Sequence, residues 1–501
     1  MFTPQVTEEP TEQAPLLGPH GGDATQDASP TPLSHAHLRL LVLVCISIVA
    51  ADFGNSLTLA PQISIFESLI CRRIGVGGDC KSPEVQGELA LLIGWKETID
   101  QLPGIIFALP YGLAADRIGR KPILVLCLIG LVLEEVAIRL VCWWNVAVPL
   151  RMIWATPVFQ IIGGGSQTAT AMAYAMITDV VPMDRRASIF YIMAAVILLG
   201  EILATPISAF LMAWSPWVPS LLGIAFQLGG LLGAALVSET RPDPTLNLEE
   251  THESERLLDD SDETEVDDDD PAYHKFGYQR VKHTVTEYWE YVRTTHMRGW
   301  DFNMAFIVLT FLLASIGKQA LQLIIPYASK RFSWSIARAS FLITLKGVIN
   351  LITLLIILPR LSTWLSRQMS WSPAVKDLRI VQGSAWILTS GTAFMAFAAI
   401  PELFISGLCL FALGWGFYSA LRSLATALVS PSQVGVLNSG IGLAQSLGSL
   451  VAGPILAAAF GHGLRQGGIG MGLPYMVAAT LLFMASCLTC VIRIAGEKRR
   501  M

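Results

Sequence analysis

The sequence is poor in charge. Asp, Glu, Lys and Arg make up only 15% of it, and 53% is hydrophobic; ordinary soluble domains carry about 25% charge. Its apolar runs reach the roughly 20 residues needed to cross a bilayer. Soluble two-domain and fibrous architectures are therefore excluded. No basic domain is present, which excludes nucleic acid as a partner. No Gly-rich loop ends in Lys-Ser or Lys-Thr, so nucleotide-driven chemistry has no motif. Clustered His, metal-ligand spacing and a nucleophile–base set are also missing. No cofactor, no metal and no enzymatic activity are expected. The first residues lack the basic start and cleavage pattern of a secretory leader.

Cysteine is scarce too, with 8 in 501 residues. Cys45, Cys127, Cys142, Cys409, Cys487 and Cys490 lie in or beside apolar runs and read as small hydrophobes. Cys71 and Cys80 instead flank a polar stretch. They form either a disulfide, if that loop faces an oxidising compartment, or two free thiols.

What is present is organised around one polar run, from Glu239 to about Trp300. It holds Asp267 to Asp270 and accounts for much of the net charge of −5. Six apolar spans precede it, at about 40–63, 92–115, 122–142, 147–180, 187–214 and 218–238. Six follow, at about 301–327, 340–358, 378–400, 403–429, 434–460 and 473–494. The fourth is longer than the hydrocarbon requires, which predicts a tilt, or a kink near Pro149 or Pro157. The expected fold is an all-α integral membrane protein of twelve helices in two six-helix halves. The expected parts are a disordered tail (1–38), a first half (39–238), an acidic linker (239–299), a second half (300–494) and a basic tail (495–501).

Lys and Arg in the short loops set the orientation. Arg39, Arg117, Arg120, Lys121, Arg185, Arg186, Arg360, Arg367, Lys376 and Arg379 fall on the side of the two termini, as do Lys498 to Arg500. That side is expected to be cytoplasmic, although Arg72, Arg73, Lys81, Lys330, Arg331 and Arg465 lie opposite. The acidic-dileucine patterns ending at Leu16-Leu17 and Leu257-Leu258 suit sorting adaptors, so a vacuolar or lysosomal membrane stands beside the plasma membrane. A stretch mixing Tyr, Trp and basic residues, Tyr273 to Arg298, suits an amphipathic helix on the inner membrane surface or an unstructured tether.

Between the second and third spans stands Gly112-Leu-Ala-Ala-Asp116-Arg117-Ile-Gly119-Arg120-Lys121-Pro122. Gly112 permits close helix contact. Asp116 can accept from a helix N-terminus or pair with an arginine. Gly119 allows a tight turn. The motif resembles the signature that the major facilitator superfamily carries between its second and third helices. That resemblance implies a central cavity, alternating access and a conformational latch at Gly112, Asp116, Arg117, Gly119, Arg120 and Lys121. The corresponding stretch after span 8, Leu358 to Trp364, has no aspartate, so the latch is expected to be asymmetric. Family patterns of drug–proton antiporters fit poorly. Gln160 and Gly163 to Gly165 lack the accompanying Arg, and Ala204 to Ala209 keeps only Pro206 and small residues. The broken helix-5 pattern favours import or uniport, while the aromatic, Met-rich composition permits metabolite efflux, so both directions stay open. Ile65 to Arg73 is weakly similar to the first external loop of the proton-coupled folate transporter group.

A charged side chain inside a span is costly and is a functional candidate for that reason. Asp52 and Glu201 are central in spans 1 and 5, and a proton on either would remove a charge that is costly to dehydrate. Glu134 and Glu135 in span 3 join them as proton-coupling candidates, with Glu135 placed to pair with Arg139. Lys96 and Asp100, with Glu97, read as a gate or structural ion pair. Gln160, Gln167 and Tyr174 fall seven apart, on one face. The substrate-binding candidates are Asn55, Gln160, Gln167, Gln319, Lys346, Asn350, Trp415, Tyr418, Arg422 and Gln445, with Lys318, Gln322 and Asn438 nearby. Such a cavity suits an amphipathic organic solute, and an anion if Lys346 and Arg422 are free. The functional expectation is a monomeric, proton-coupled secondary transporter in contact with membrane lipids. The alternatives are an efflux pump for drugs or secondary metabolites, and a transport-inactive receptor or scaffold on the same fold.

Overall fold

A computed structural model describes residues 35–74, 79–181, 183–239, 302–369, 373–429 and 434–492. The tails, the acidic linker, both dileucine patterns and the Tyr273 to Arg298 stretch lie outside them. All regular structure among the described residues is helical. The first half comprises α1 (His35–Ile74), α2 (Pro83–Ile118), α3 (Arg120–Trp143), a 3-10 segment (Leu150–Ile161), α4 (Gly165–Val180), α5 (Met183–Leu211) and α6 (Trp217–Leu236). The second comprises α7 (Phe302–Gln319), α8 (Ile324–Arg331), α9 (Ile336–Ile352), α10 (Leu358–Met369), α11 (Pro373–Ala396), α12 (Pro401–Leu413), α13 (Gly416–Ala427), α14 (Val434–Gln466) and α15 (Leu473–Val491). Among the described residues, eight helical stretches are long and apolar enough to cross a membrane, since about 20 residues at 1.5 Å each span its hydrocarbon. The protein is a multi-pass membrane protein. In α3 the apolar run is interrupted by Glu134, Glu135 and Arg139, charges that the fold turns inward.

Several helices break where the sequence gives a local reason. The fourth span does not kink at Pro149 or Pro157, as expected. Pro157 is accommodated within the 3-10 segment, and the break falls at Gly163, Gly164 and Gly165, with φ of 95°, 88° and 78°. L side chains resist that backbone region. A Cβ on Gly163 would also lie 2.3 Å from the Cys127 nitrogen, so the glycines let this chain press on α3. A second break, at Gly414 and Trp415, separates α12 from α13. Five π-helical residues, Thr353–Ile357, join α9 to α10. Ile65 to Arg73 is not loop, as the folate-group likeness suggested, but the last turns of α1.

The buried apolar residues form three cores, and their membership shows how the halves meet. One core draws on both halves, from Phe66, Ile70, Val85 and Leu89 to Tyr327, Phe404, Phe460 and Tyr475. It lies at the end marked by Cys71 and Cys80, which are joined by a disulfide with Cα atoms 5.0 Å apart. A second core holds only second-half residues, and a third only first-half residues such as Val44, Cys127 and Met176. Those two lie toward the Gly112–Lys121 motif. The halves are thus welded at the disulfide end and part toward the motif end.

Polar contacts follow the same division. At the disulfide end Lys81 Nζ donates to Glu67 Oε1 and to Ser329 Oγ, each at 2.5 Å, and Lys330 donates to the Lys81 carbonyl. Deeper in, Thr98 Oγ1 donates to the Leu450 carbonyl at 3.1 Å. There α2 and α14 cross at paired glycines. A Cβ on Gly453 would stand 2.2 Å from the Gly94 oxygen and 2.3 Å from Thr98 Oγ1, so only glycine permits this approach.

Candidate functional site

Between the halves lies a cavity of about 560 Å³. It is roofed by the shared core at the disulfide end. Of the residues expected to line it, Asp52, Asn55, Glu134, Glu135, Gln160, Glu201, Gln319, Lys346 and Trp415 do so. Gln167, Asn350, Tyr418, Arg422 and Gln445 do not.

The absentees are explained by packing and by a helix break. Gln160 precedes the glycine break and Gln167 follows it, so seven-residue spacing no longer puts them on one face. Gln160 is buried and donates to Glu134 Oε2 at 2.5 Å, whereas Gln167 donates to Gln101 at 3.1 Å. Tyr174 packs edge-on against Phe190. Asn350 is fully packed within α9's protein-facing side. Trp415 reaches the cavity, and Tyr418, one turn on, lies beside it with ring centroids 5.5 Å apart. Tyr418 donates its hydroxyl to the Ala314 carbonyl at 3.1 Å, and Arg422 donates to Gln445 Oε1 at 3.2 Å. The side chain of Asn438 lies outside the described residues.

The first-half wall is built on α1, α2, α3 and α5. Lys96 sits at its centre, paired with Asp100 and 3.6 Å from Glu134 Oε1. Arg139 Nη2 holds Glu135 Oε2 at 2.7 Å and is itself anchored by Ser220. This group, read from sequence as a gate or structural pair, is part of the cavity wall. It keeps its charges in a low-dielectric site by mutual pairing, without which their burial would cost several kcal/mol each. Glu97, Gln62, Gln101 and Gln227 add polar groups to the lining. Sequence reasoning missed Gln62, which follows Asn55 by seven residues on unbroken α1, so heptad spacing was the signal that could have found it. Gln227, a lone amide in apolar α6, offered no such pattern.

The second-half wall is built on α7, α9 and the turn before α13. Lys318 Nζ lies 4.9 Å from the Trp415 ring centroid and 5.7 Å from that of Tyr418, within range of cation–π attraction. Lys346 Nζ is 3.0 Å from Glu201 Oε1, an ion pair across the two halves. Thr205 donates to the Glu201 carbonyl, and Ser208 to that of Leu57. Lys346 is therefore not free, and Arg422 is occupied away from the cavity. The condition on which an anionic cargo was expected is not met.

At the motif end a glycine makes the turn and a carboxylate from beyond α6 holds it. Gly119 turns with φ of 115°. The backbone nitrogens of Arg120 and Lys121 donate to Glu239 Oε1 and Oε2 at 3.0 and 3.2 Å. Glu239 thus caps the start of α3; the side chain of Asp116 lies outside the described residues. Arg120 pairs with Asp179 of α4 at 2.7 Å. Gly112 does not make the close helix contact expected of it. Nothing would lie within 4 Å of a Cβ there, because the halves have already parted at this depth.

Comparison with known proteins agrees with this architecture. The chain is 31% identical over 458 residues to the efflux pump ustT of Aspergillus flavus, covering 89% of this chain and 87% of that protein. It is 30% identical over 490 residues to the MFS efflux pump atnC of Emericella nidulans, covering 94% and 90%. Among solved structures, the human organic anion transporter MFSD10 (TETRAN) superposes with a TM-score of 0.56 at 16% identity, covering 90% of this chain and 99% of that one. A D-xylose–proton symporter superposes with a TM-score of 0.60 at 11% identity, covering 93% and 99%; at such identities the likeness is one of fold. Residues 42–453 match the Major Facilitator Superfamily, and with the motif, the inter-half cavity and these relatives in agreement the chain belongs to that superfamily of small-solute transporters.

Proposed function

We propose that this protein is a secondary active exporter of a small amphipathic organic solute, working by alternating access and driven by protons. The observation that carries the reading is the charged cavity between the halves, roofed by a shared core at one end only. Such a cavity can load from the motif end and must be re-sealed there before release at the other. The fungal relatives named as efflux pumps favour export over the import suggested by the eroded pattern at Ala204 to Ala209. In this reading the twelve spans form two six-helix halves, and the motif end with both termini faces the cytoplasm. The protein acts as a monomer in the plasma or vacuolar membrane.

The Glu201–Lys346 pair supports a coupling mechanism. It is a direct tie between α5 and α9, with Asp52 lining the same cavity. Protonation of Glu201 removes one partner and frees Lys346, which weakens the tie and lets the halves rock. Deprotonation restores it. Purified protein in sealed vesicles with an internal pH dye tests the reading. Labelled amphipathic solutes should move against their gradient when an opposing proton gradient is imposed, and Glu201→Gln should abolish the associated proton movement. Solute exchange with no proton movement in the wild type would leave a facilitator and remove the coupling step.

A further inference from the structure

The cavity is polarised from wall to wall. Six carboxylates face it, and all belong to the first half: Asp52, Glu97, Asp100, Glu134, Glu135 and Glu201. The second half contributes no acid to the described lining, only the ammonium groups of Lys318 and Lys346. Pairing neutralises most of these charges. Lys96 serves Asp100 and Glu134, Arg139 holds Glu135, and Lys346 holds Glu201. On the first wall Asp52 and Glu97 take no hydrogen bond or ion pair among the described residues. On the second wall Lys318 makes none either, and rests on two aromatic faces.

We infer that the cargo is an amphipathic zwitterion, its ammonium group seated against an unpaired first-half carboxylate, Glu97 or Asp52, and its carboxylate against Lys318. This deepens the exporter reading and rests on it. A charge in a dehydrated slot is costly unless an opposite charge meets it. A zwitterion meets both walls at once. A simple cation leaves Lys318 uncompensated, and a simple anion faces a lining with six carboxylates and three lysines. A cargo with two opposite charges also bridges the halves, adding a tie parallel to Glu201–Lys346. Its apolar body is matched by Ile63, Ile93, Ile343 and Trp415.

The test uses three matched fluorescent probes and the full chain in lipid nanodiscs. Nα-dansyl-lysine carries both charges, dansylcadaverine lacks the carboxylate, and Nα-dansylnorleucine lacks the ammonium. Each lost charge-assisted contact should weaken binding about tenfold or more. Lys318→Gln should erase the advantage of dansyl-lysine over dansylcadaverine while dansylcadaverine still binds, which shows the cavity intact. Asp52→Asn with Glu97→Gln should erase its advantage over dansylnorleucine. Equal binding of all three probes, binding of none, or an advantage that survives both sets of substitutions overturns the inference. Preferred binding and vesicle transport of dansylnorleucine would overturn it too, and would leave the exporter reading standing.

Discussion

The two ends of the molecule are built on different terms. At the disulfide end the halves share one core, cross at glycines and exchange hydrogen bonds through Lys81, Ser329, Lys330 and Thr98. At the motif end each half keeps its own core, and the contacts of Glu239 with α3 and of Arg120 with Asp179 lie within one half. A seal made of cross-half contacts can be lost without unfolding either half. A half held by internal contacts can move as a body. In the proposed alternating-access reading, the difference between the ends corresponds to a transporter with one gate shut.

The sharpest way to break the comparison is to wedge the shut end. Gly453→Leu would force α2 from α14 and should weaken the seal by about 3 kcal/mol, the upper range for overpacking. Thermal unfolding should change less than the separation of labels across that end. Next in size is the cavity tie. Glu201→Gln leaves Lys346 without its acid and should cost about 1–3 kcal/mol, below the fully buried figure because Glu201 is 31% exposed. Adding Lys346→Gln should recover much of that stability in a melting assay and none of the proton coupling.

Smaller effects belong to the motif end. Glu239→Ala removes the cap on α3 and should cost about 1 kcal/mol of stability, read as a lower melting temperature with binding retained. The smallest is Gly112→Ala. With open space around the position, the change should be neutral or stabilise α2 by up to about 1 kcal/mol. Gly112→Leu should likewise spare folding but slow transport, if the motif end closes on this position in the opposite state.

Much of this was legible in the sequence, for physical reasons. Long apolar runs fix the positions of the membrane helices because a bilayer admits little else. The costly interior charges, Asp52, Glu134, Glu135, Glu201 and Lys346, all reached the cavity. The failures have two causes, a backbone break and packing. Gln167 lies on the far side of the Gly163 to Gly165 break, which resets the helical period, whereas Tyr418 and Arg422 follow Trp415 on one helix and are taken up by the Ala314 carbonyl and Gln445. Glu239 was assigned to the linker, since nothing in its own neighbourhood shows that it folds back onto α3. The Lys96 group was read correctly as paired, but spacing along α2 cannot show that the pair faces a cavity.

The account's central claim is that the two ends open in alternation. Pulsed electron–electron resonance measures this directly. Spin labels would be placed at Val146→Cys with Ile469→Cys at the shut end and at Ile118→Cys with Trp364→Cys at the parted end, all exposed positions. The six free cysteines would be replaced and the Cys71–Cys80 bridge kept. When a proton gradient is imposed with cargo present, the first distance should lengthen in the same population in which the second shortens. If both distances stay fixed in vesicles that export cargo, alternating access between these halves is wrong.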